Sequence, residues 1–219
     1  MKQHSERVPK KNIRNFIDKP LFYYMLNTLC KCKNISEIVV DTDSEKIGNL
    51  IKTYFDKVKI LYRPDELKGD MVTANALIEN NLKKLKGDYF LFTHVTSPLI
   101  KPKTIDNAID IFFKNDNDSL LGVTKHQIRL FDKDFNSINH DSSKLIRTQD
   151  LEPVYEDNSS IYVFSRDSFF KTKNRIGENP YMLEITKIEP IDIDTEHDFY
   201  IAECIARNLN KNLKEIKNG

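Results

Sequence analysis

The sequence predicts an α/β domain whose sheet is mostly parallel, with helices on both faces. Two observations lead there. Short β-branched runs alternate with helix-period stripes along most of the chain, and 219 residues suffice for one such domain with a full core. A third observation qualifies them: the rhythm breaks once, at 125–157, where polar and turn-forming residues accumulate. The elements follow in order. Lys19 and Pro20 open an amphipathic helix, with Pro suited to the first helical position. Residues 37–42 read as a strand. The segment 44–55 carries Ile47, Leu50, Ile51, Tyr54 and Phe55 on one helical stripe. Residues 58–62 read as strand, 72–85 as helix, 88–93 as a buried strand, 104–113 as helix and 119–124 as strand. Regular structure resumes with a strand at 160–164, and a last strand is expected near 188–193. Thr195 then caps a closing helix, with Asp198 completing a capping box at the third helical position. Residues 211–219 form a polar tail expected to fray. The whole of 1–219 is read as one domain, with 125–157 as a lid or dimerisation excursion.

Composition narrows the function. Hydrophobic residues make up 39% and charged residues 31%, with a net charge of +1, so nothing argues for a nucleic acid or an anionic membrane as partner. No apolar run approaches the ~20 residues that span a bilayer, and the opening has no signal-peptide pattern. Cys30, Cys32 and Cys204 are an odd set that reads as reduced thiols, which places the chain in the cytoplasm. Cys30 and Cys32 fall in a helix, where i and i+2 point apart, so they are not read as a metal pair.

Two segments carry the chemistry. The opening holds Lys2, Ser5, Arg7, Pro9, Lys10, Lys11 and Asn12. Its cations repel one another unless an anion or solvent screens them, and Ser5 with the backbone amides adds donors for phosphate oxygens. Taken alone it is also compatible with a solvated terminus. Near the other end, Ile191, Asp192, Ile193 and Asp194 alternate. On a strand the two isoleucines face the core and both aspartates face the other way, with Cα atoms about 6.6 Å apart. That pair suits a magnesium ion, which takes a couple of carboxylates and completes its shell with phosphate and water. Taken alone it is also an ordinary acidic strand end. Between them, residues 93–99 follow the most apolar strand and place His94 and Ser97 at its carboxyl end, where open α/β sheets bind ligands. Arg147, Gln149 and Asp150 lie in the excursion, where Arg beside Gln suits an anionic, hydroxylated ligand.

These segments, in this order, resemble the acylneuraminate cytidylyltransferases, the CMP-sialic acid synthetases, over residues 2 to about 207. Lys2, Ser5, Arg7, Pro9, Lys11 and Asn12 fall on the family's loop Arg-x-Gly-Ser-Lys-Arg-x-Pro-x-Lys-Asn. Lys19, Pro20 and Leu21 match a Gly-Lys-Pro-Leu in which Asp18 replaces Gly. Arg63 and Pro64 with Asp70 resemble an Arg-Pro segment, and 96–99 resembles Thr-Ser-Pro-Leu. Arg147 to Asp150 resembles Arg-Arg-Gln-Asp, 158–162 resembles Asn-Gly-x-Ile-Tyr, and 191–194 matches the late metal motif.

The resemblance implies a Rossmann-like nucleotidyltransferase fold and transfer of CMP from CTP to a sialic-type nonulosonic acid, with release of pyrophosphate. It implies Mg²⁺ on Asp192 and Asp194, and charge stabilisation by Lys2, Arg7 and Lys11. Ser5, Asn12, Arg63, His94 and Ser97 fall on the nucleotide side, Arg147 and Gln149 on the sugar side. It also implies a homodimer in which the excursion, with Ile128, Leu130, Phe131, Leu145 and Ile146, reaches the neighbour's sugar pocket. Three departures stand out. Lys2 replaces an Arg, Gln3 and His4 replace small residues, and His94 stands where the family often has Gln. The family's first β-strand is not seen ahead of the loop, so a gap in the sheet ladder is expected. Other readings are the same transfer to Kdo or to a legionaminic- or pseudaminic-type sugar, a glycosyltransferase using an Asp-x-Asp motif, and a nucleotide-binding protein without activity.

Overall fold

The computed structural model describes residues 1–144 and 146–218, with side chains to residue 209. Residues 1–14 form a loop whose one regular piece is a 3₁₀ turn at Lys11–Ile13. A two-residue antiparallel ladder follows between β1 (Asn15–Phe16) and β2 (Lys19–Pro20). Helix α1 (Leu21–Lys31) starts with Pro20 as its cap, one residue later than the sequence predicts.

The sheet comes in two parts. Strand β3 (Val39–Thr42) pairs in parallel with β4 (Lys59–Tyr62). They are joined by α2 (Glu45–Tyr54), whose first turn is capped by the Ser44 hydroxyl accepting from the Ile47 amide. After α3 (Ala74–Lys84), β5 (Tyr89–Thr93) begins the second part. Helix α4 (Pro102–Lys114) leads to β6 (Ser119–His126), then β7 (Val154–Ser165), α5 (Arg166–Thr172), β8 (Pro180–Glu184) and α6 (Glu196–Asn218). The strand order is β5-β7-β6-β8. β7 runs antiparallel to both β5 and β6, and β6 runs parallel to β8. Strands β5, β6 and β8 therefore share one direction and only β7 is reversed. Alternation along the strands feeds two cores. Leu120, Ile161, Val163 and Leu183 pack under α1 and α4, while Leu121, Val123, Tyr162 and Phe164 pack under α3 and α5. The α/β architecture with helices on both faces is as the sequence predicts.

Two local expectations change. Residues 188–193 form no strand. β8, at Pro180–Glu184, takes the place beside β6, and the later segment makes one backbone bond to the sheet region, Ile193 N–H to Thr96 O at 2.9 Å. Pro190 brings no donor, and the alternating isoleucines are spent on a different core, where Ile193 is fully buried. The excursion is shorter than 125–157, because β6 runs to His126 and β7 begins at Val154. Within it Phe131, Phe135, Ile138 and Ile146 are exposed, and the Phe131 and Phe135 rings stack at 4.7 Å. Leu145 lies outside the described residues. At the other end of the chain the capping box forms as expected: Asp198 N–H donates to Thr195 Oγ1 at 3.2 Å and Thr195 N–H to Asp198 Oδ2 at 2.8 Å.

Among the described residues the two sheet parts do not pair with each other. A cavity of about 1010 Å³ lies between them, walled by Val39, Val40 and Asp41 on one side and Leu91, Phe92 and Thr93 on the other. Met1 sits at its end and bonds β3 on both sides of Thr42. Its amine donates to Asp41 O, and Asp43 N–H donates to its carbonyl at 3.4 Å. Bonding on both sides of one residue is the pattern of a parallel ladder. The edges of β3 and β5 thus face a slot, each without a strand partner there among the described residues. Fusing about six alternating β-branched residues ahead of Met1 is expected to raise the thermal unfolding midpoint by several degrees, because both edges gain partners. An unchanged midpoint would show that the slot does not accept a strand.

Candidate active site

Apolar burial brings the two ends of the chain together. Val8 and Phe16 from the opening, Ile193 from the late segment, and Phe199 and Ala202 from α6 form one buried cluster. Each large side chain contributes about 1.5–3 kcal/mol on burial. Because Ile193 points into this cluster, Asp192 and Asp194 on either side of it turn toward the cavity, which both line. The predicted alternation survives although the strand does not.

The opening loop closes over these carboxylates. Lys11 Nζ donates to Ile193 O at 2.5 Å and to Asp194 Oδ1 at 3.0 Å, and its side chain is only 13% exposed. Arg7 Nη2 reaches the same Asp194 oxygen at 3.0 Å. Asn12, buried, donates from Nδ2 to Lys2 O at 2.8 Å, which braces the loop across its base. Lys2 Nζ pairs with Asp70 at 2.9 Å. Lys2, Ser5, Arg7, Lys11 and Asn12 all line the cavity together with Asp192 and Asp194. Asp192 Oδ1 is buried and has no hydrogen-bond partner among the described residues. An orphaned buried carboxylate oxygen next to a second carboxylate fits a hard cation. Among the described residues no cluster of three or more His, Cys, Asp or Glu could hold a metal. Phosphate and water would have to complete the shell, which is the habit of Mg²⁺.

The nucleotide-side candidates divide. Arg63 is buried and pairs through Nε with Asp41, leaving Arg63 Nη1 and Asp41 Oδ2 without partners among the described residues on the cavity wall. His94 lines the cavity, and its ring packs edge-on against Phe92 at 4.9 Å. Burial holds His94 below the usual imidazole range, with Asp192 pulling the other way. Ser97 is fully buried and lies outside the cavity lining; its amide donates to His94 O at 3.3 Å. Arg147 and Gln149 also lie outside it. Arg147 is exposed and held by Asp150 at 2.7 and 3.1 Å, and Gln149 offers its carbonyl to Gln127 at 2.8 Å. Sequence reasoning misses Asp41 and gives Asp70 no partner. Asp41 lies near the end of a correctly read strand and is findable from that position. Asp70 sits in a turn, with no motif to show that Lys2 reaches it.

With this geometry in view, comparison with known proteins is specific. A family model described as cytidylyltransferase matches residues 1–216. The post-translational flagellin modification protein B of Campylobacter coli is 26% identical over 226 residues, covering 97% of this chain and 94% of that protein. The CMP-N,N'-diacetyllegionaminic acid synthase of Legionella pneumophila is 30% identical over 215 residues, covering 91% of this chain and 90% of that one. An N-acylneuraminate cytidylyltransferase of Streptococcus agalactiae is 26% identical over 204 residues, and there the match covers 89% of this chain but 49% of the relative. Among solved structures, CMP:2-keto-3-deoxy-manno-octonic acid synthetase complexed with CTP has a TM-score of 0.73 at 11% identity, covering 95% of this chain and 96% of that one. That likeness speaks for the fold.

The buried Arg63–Asp41 pair yields a stability prediction. Arg63→Ala strands the Asp41 carboxylate and should cost about 3–5 kcal/mol in urea unfolding, with Asp41→Ala added to it restoring part of the loss. Two losses that simply add would show that the groups do not interact.

Proposed function

The chain belongs to the cytidylyltransferase family, and we propose that it transfers CMP from CTP to a sialic-type nonulosonic acid, releasing pyrophosphate. The observation that carries this reading is the meeting of a basic loop and two carboxylates on one cavity wall, with Lys11 and Asp194 183 residues apart in sequence. The anomeric hydroxyl of the sugar attacks the α-phosphorus and gives up its proton to solvent, a P–O bond forms, and the bond to the bridging oxygen of the leaving pyrophosphate breaks. Lys2, Arg7 and Lys11 neutralise the phosphates, the main lever in this class of transfer. Ser5 and the loop amides add donors, and Arg63 and His94 border the nucleotide. A neutral His94 ring offers one donor and one acceptor. Asp192 and Asp194 would hold Mg²⁺, which supplies charge neutralisation and orients the triphosphate. Asp194 is shared by Lys11 and Arg7, and both cations line the cavity that would receive the phosphates.

Among acceptors, the Legionella relative named for diacetyllegionaminic acid matches along nearly its whole length, which makes that sugar type the second reading. The exposed apolar side chains of the excursion support a two-fold dimer. In such a dimer Arg147 and Gln149 would serve the neighbour's acceptor pocket.

Two outcomes check this. Asp194→Ala is expected to lower pyrophosphate release from CTP and sugar by on the order of 10²-fold while leaving the fold intact; wild-type turnover in the variant would remove Asp194 from the site. Sedimentation at micromolar concentration is expected to show a dimer, weakened by Phe131→Ser with Phe135→Ser; a fully active monomer would exclude the shared pocket.

A further inference from the structure

Beyond the phosphate end of the site lies a cation that the phosphate chemistry leaves unused. The Arg175 guanidinium stacks on the Tyr162 ring at 3.9 Å and reaches over Phe92 at 5.4 Å. Arg175 Nη2 donates to Tyr162 Oη at 2.9 Å, and that hydroxyl donates onward to Asp157 at 2.6 Å. Among the described residues no carboxylate pairs with Arg175 in a salt bridge. Phe92 and Tyr162 are partners across β5 and β7, next to the carboxyl end of β5 where His94 follows. His94 and Phe92 line the cavity with Asp192, whereas Arg175 lies outside its lining and meets the site through the Phe92 ring, as a guanidinium without a carboxylate partner among the described residues.

The loop that presents Arg175 is fixed. Thr172 Oγ1 donates to Asn174 O at 3.1 Å and accepts from Asn174 N–H at 3.2 Å. Asn75 from α3 donates to Asn174 Oδ1 at 3.2 Å, and Lys173 holds a left-handed conformation at φ 55°. A stacked, braced guanidinium with N–H groups to spare is a ready receptor for a planar anion.

We infer that Arg175 binds the carboxylate of the acidic acceptor sugar and sets its orientation toward the α-phosphorus. The inference rests on the nonulosonic-acid reading. A triphosphate oxygen is the other anion within the same chemistry, and the two are separable by kinetics. The experiment measures CMP-sugar formation by wild type, Arg175→Gln and Arg175→Lys, with the acid and with its methyl ester as acceptors, and Arg147→Ala as comparison. Wild type should prefer acid over ester by about 10²-fold in kcat/KM, and Arg175→Gln should bring that preference to within a few-fold through the sugar KM, leaving the KM for CTP unchanged. Arg175→Lys should retain an intermediate preference, and matching thermal midpoints show that stacking is not the cause. A preference that survives Arg175→Gln, that collapses in Arg147→Ala instead, or a change confined to the CTP KM overturns the assignment. Failure of the wider reading looks different: wild type would bind CTP yet turn over neither acid nor ester, and this assignment would fall with it.

Discussion

The site depends on one contact between the ends of the chain: Lys11 held against Asp194 and the Ile193 carbonyl. Within residues 1–14 a 3₁₀ turn and the Asn12–Lys2 bond brace the loop, but neither offsets the repulsion among its cations. Fixing each residue costs about 1–2 kcal/mol of backbone entropy. Val8 and Phe16, buried with Ile193 and Phe199, provide the apolar anchor that offsets it. The carboxylate of Asp194 then cancels the repulsion between Lys11 and Arg7. Position and charge are thus solved by the same neighbour.

That arrangement couples binding to electrostatics. Asp194 is 42% exposed, so solvent screens its pairs and they hold the loop without locking it. Asp192 differs, because one of its oxygens is buried with no partner among the described residues. A cation held by the pair would satisfy the orphaned oxygen and would share the other carboxylate with Lys11 and Arg7. Lys11 and Arg7 line the cavity, where an anionic ligand would offer them a second partner.

Much of the fold was legible because its signals are local. Helix stripes such as Ile47, Leu50 and Ile51, and the Thr195–Asp198 box, depend on neighbours in sequence. The segment 188–193 misleads because alternation reports two-faced burial and says nothing of ladder partners: Ile193 is buried among helix and loop side chains instead. The basic loop and the late aspartates were legible from residue type and spacing, and the cavity gathers them. Arg147 and Gln149 join them because an Arg beside a Gln suits an anionic, hydroxylated ligand, yet their excursion carries them off the cavity. Arg175 carries no local signal, since the rings it stacks on, Tyr162 and Phe92, come from β7 and β5.

The slot between β3 and β5 and the candidate active site are parts of one cavity. Asp41 belongs to both. Its backbone oxygen accepts from the Met1 amine and its carboxylate holds Arg63. Met1 ties the loop to β3, just as Lys11 fixes it at the other end. Lys2 lies one residue from the first anchor, and Asn12 ties Lys2 back to the second. Rigidity at both anchors would present the loop cations as a preorganised array rather than a set of mobile side chains. Preorganisation of this kind is where electrostatic stabilisation of a charged transition state gains most of its strength.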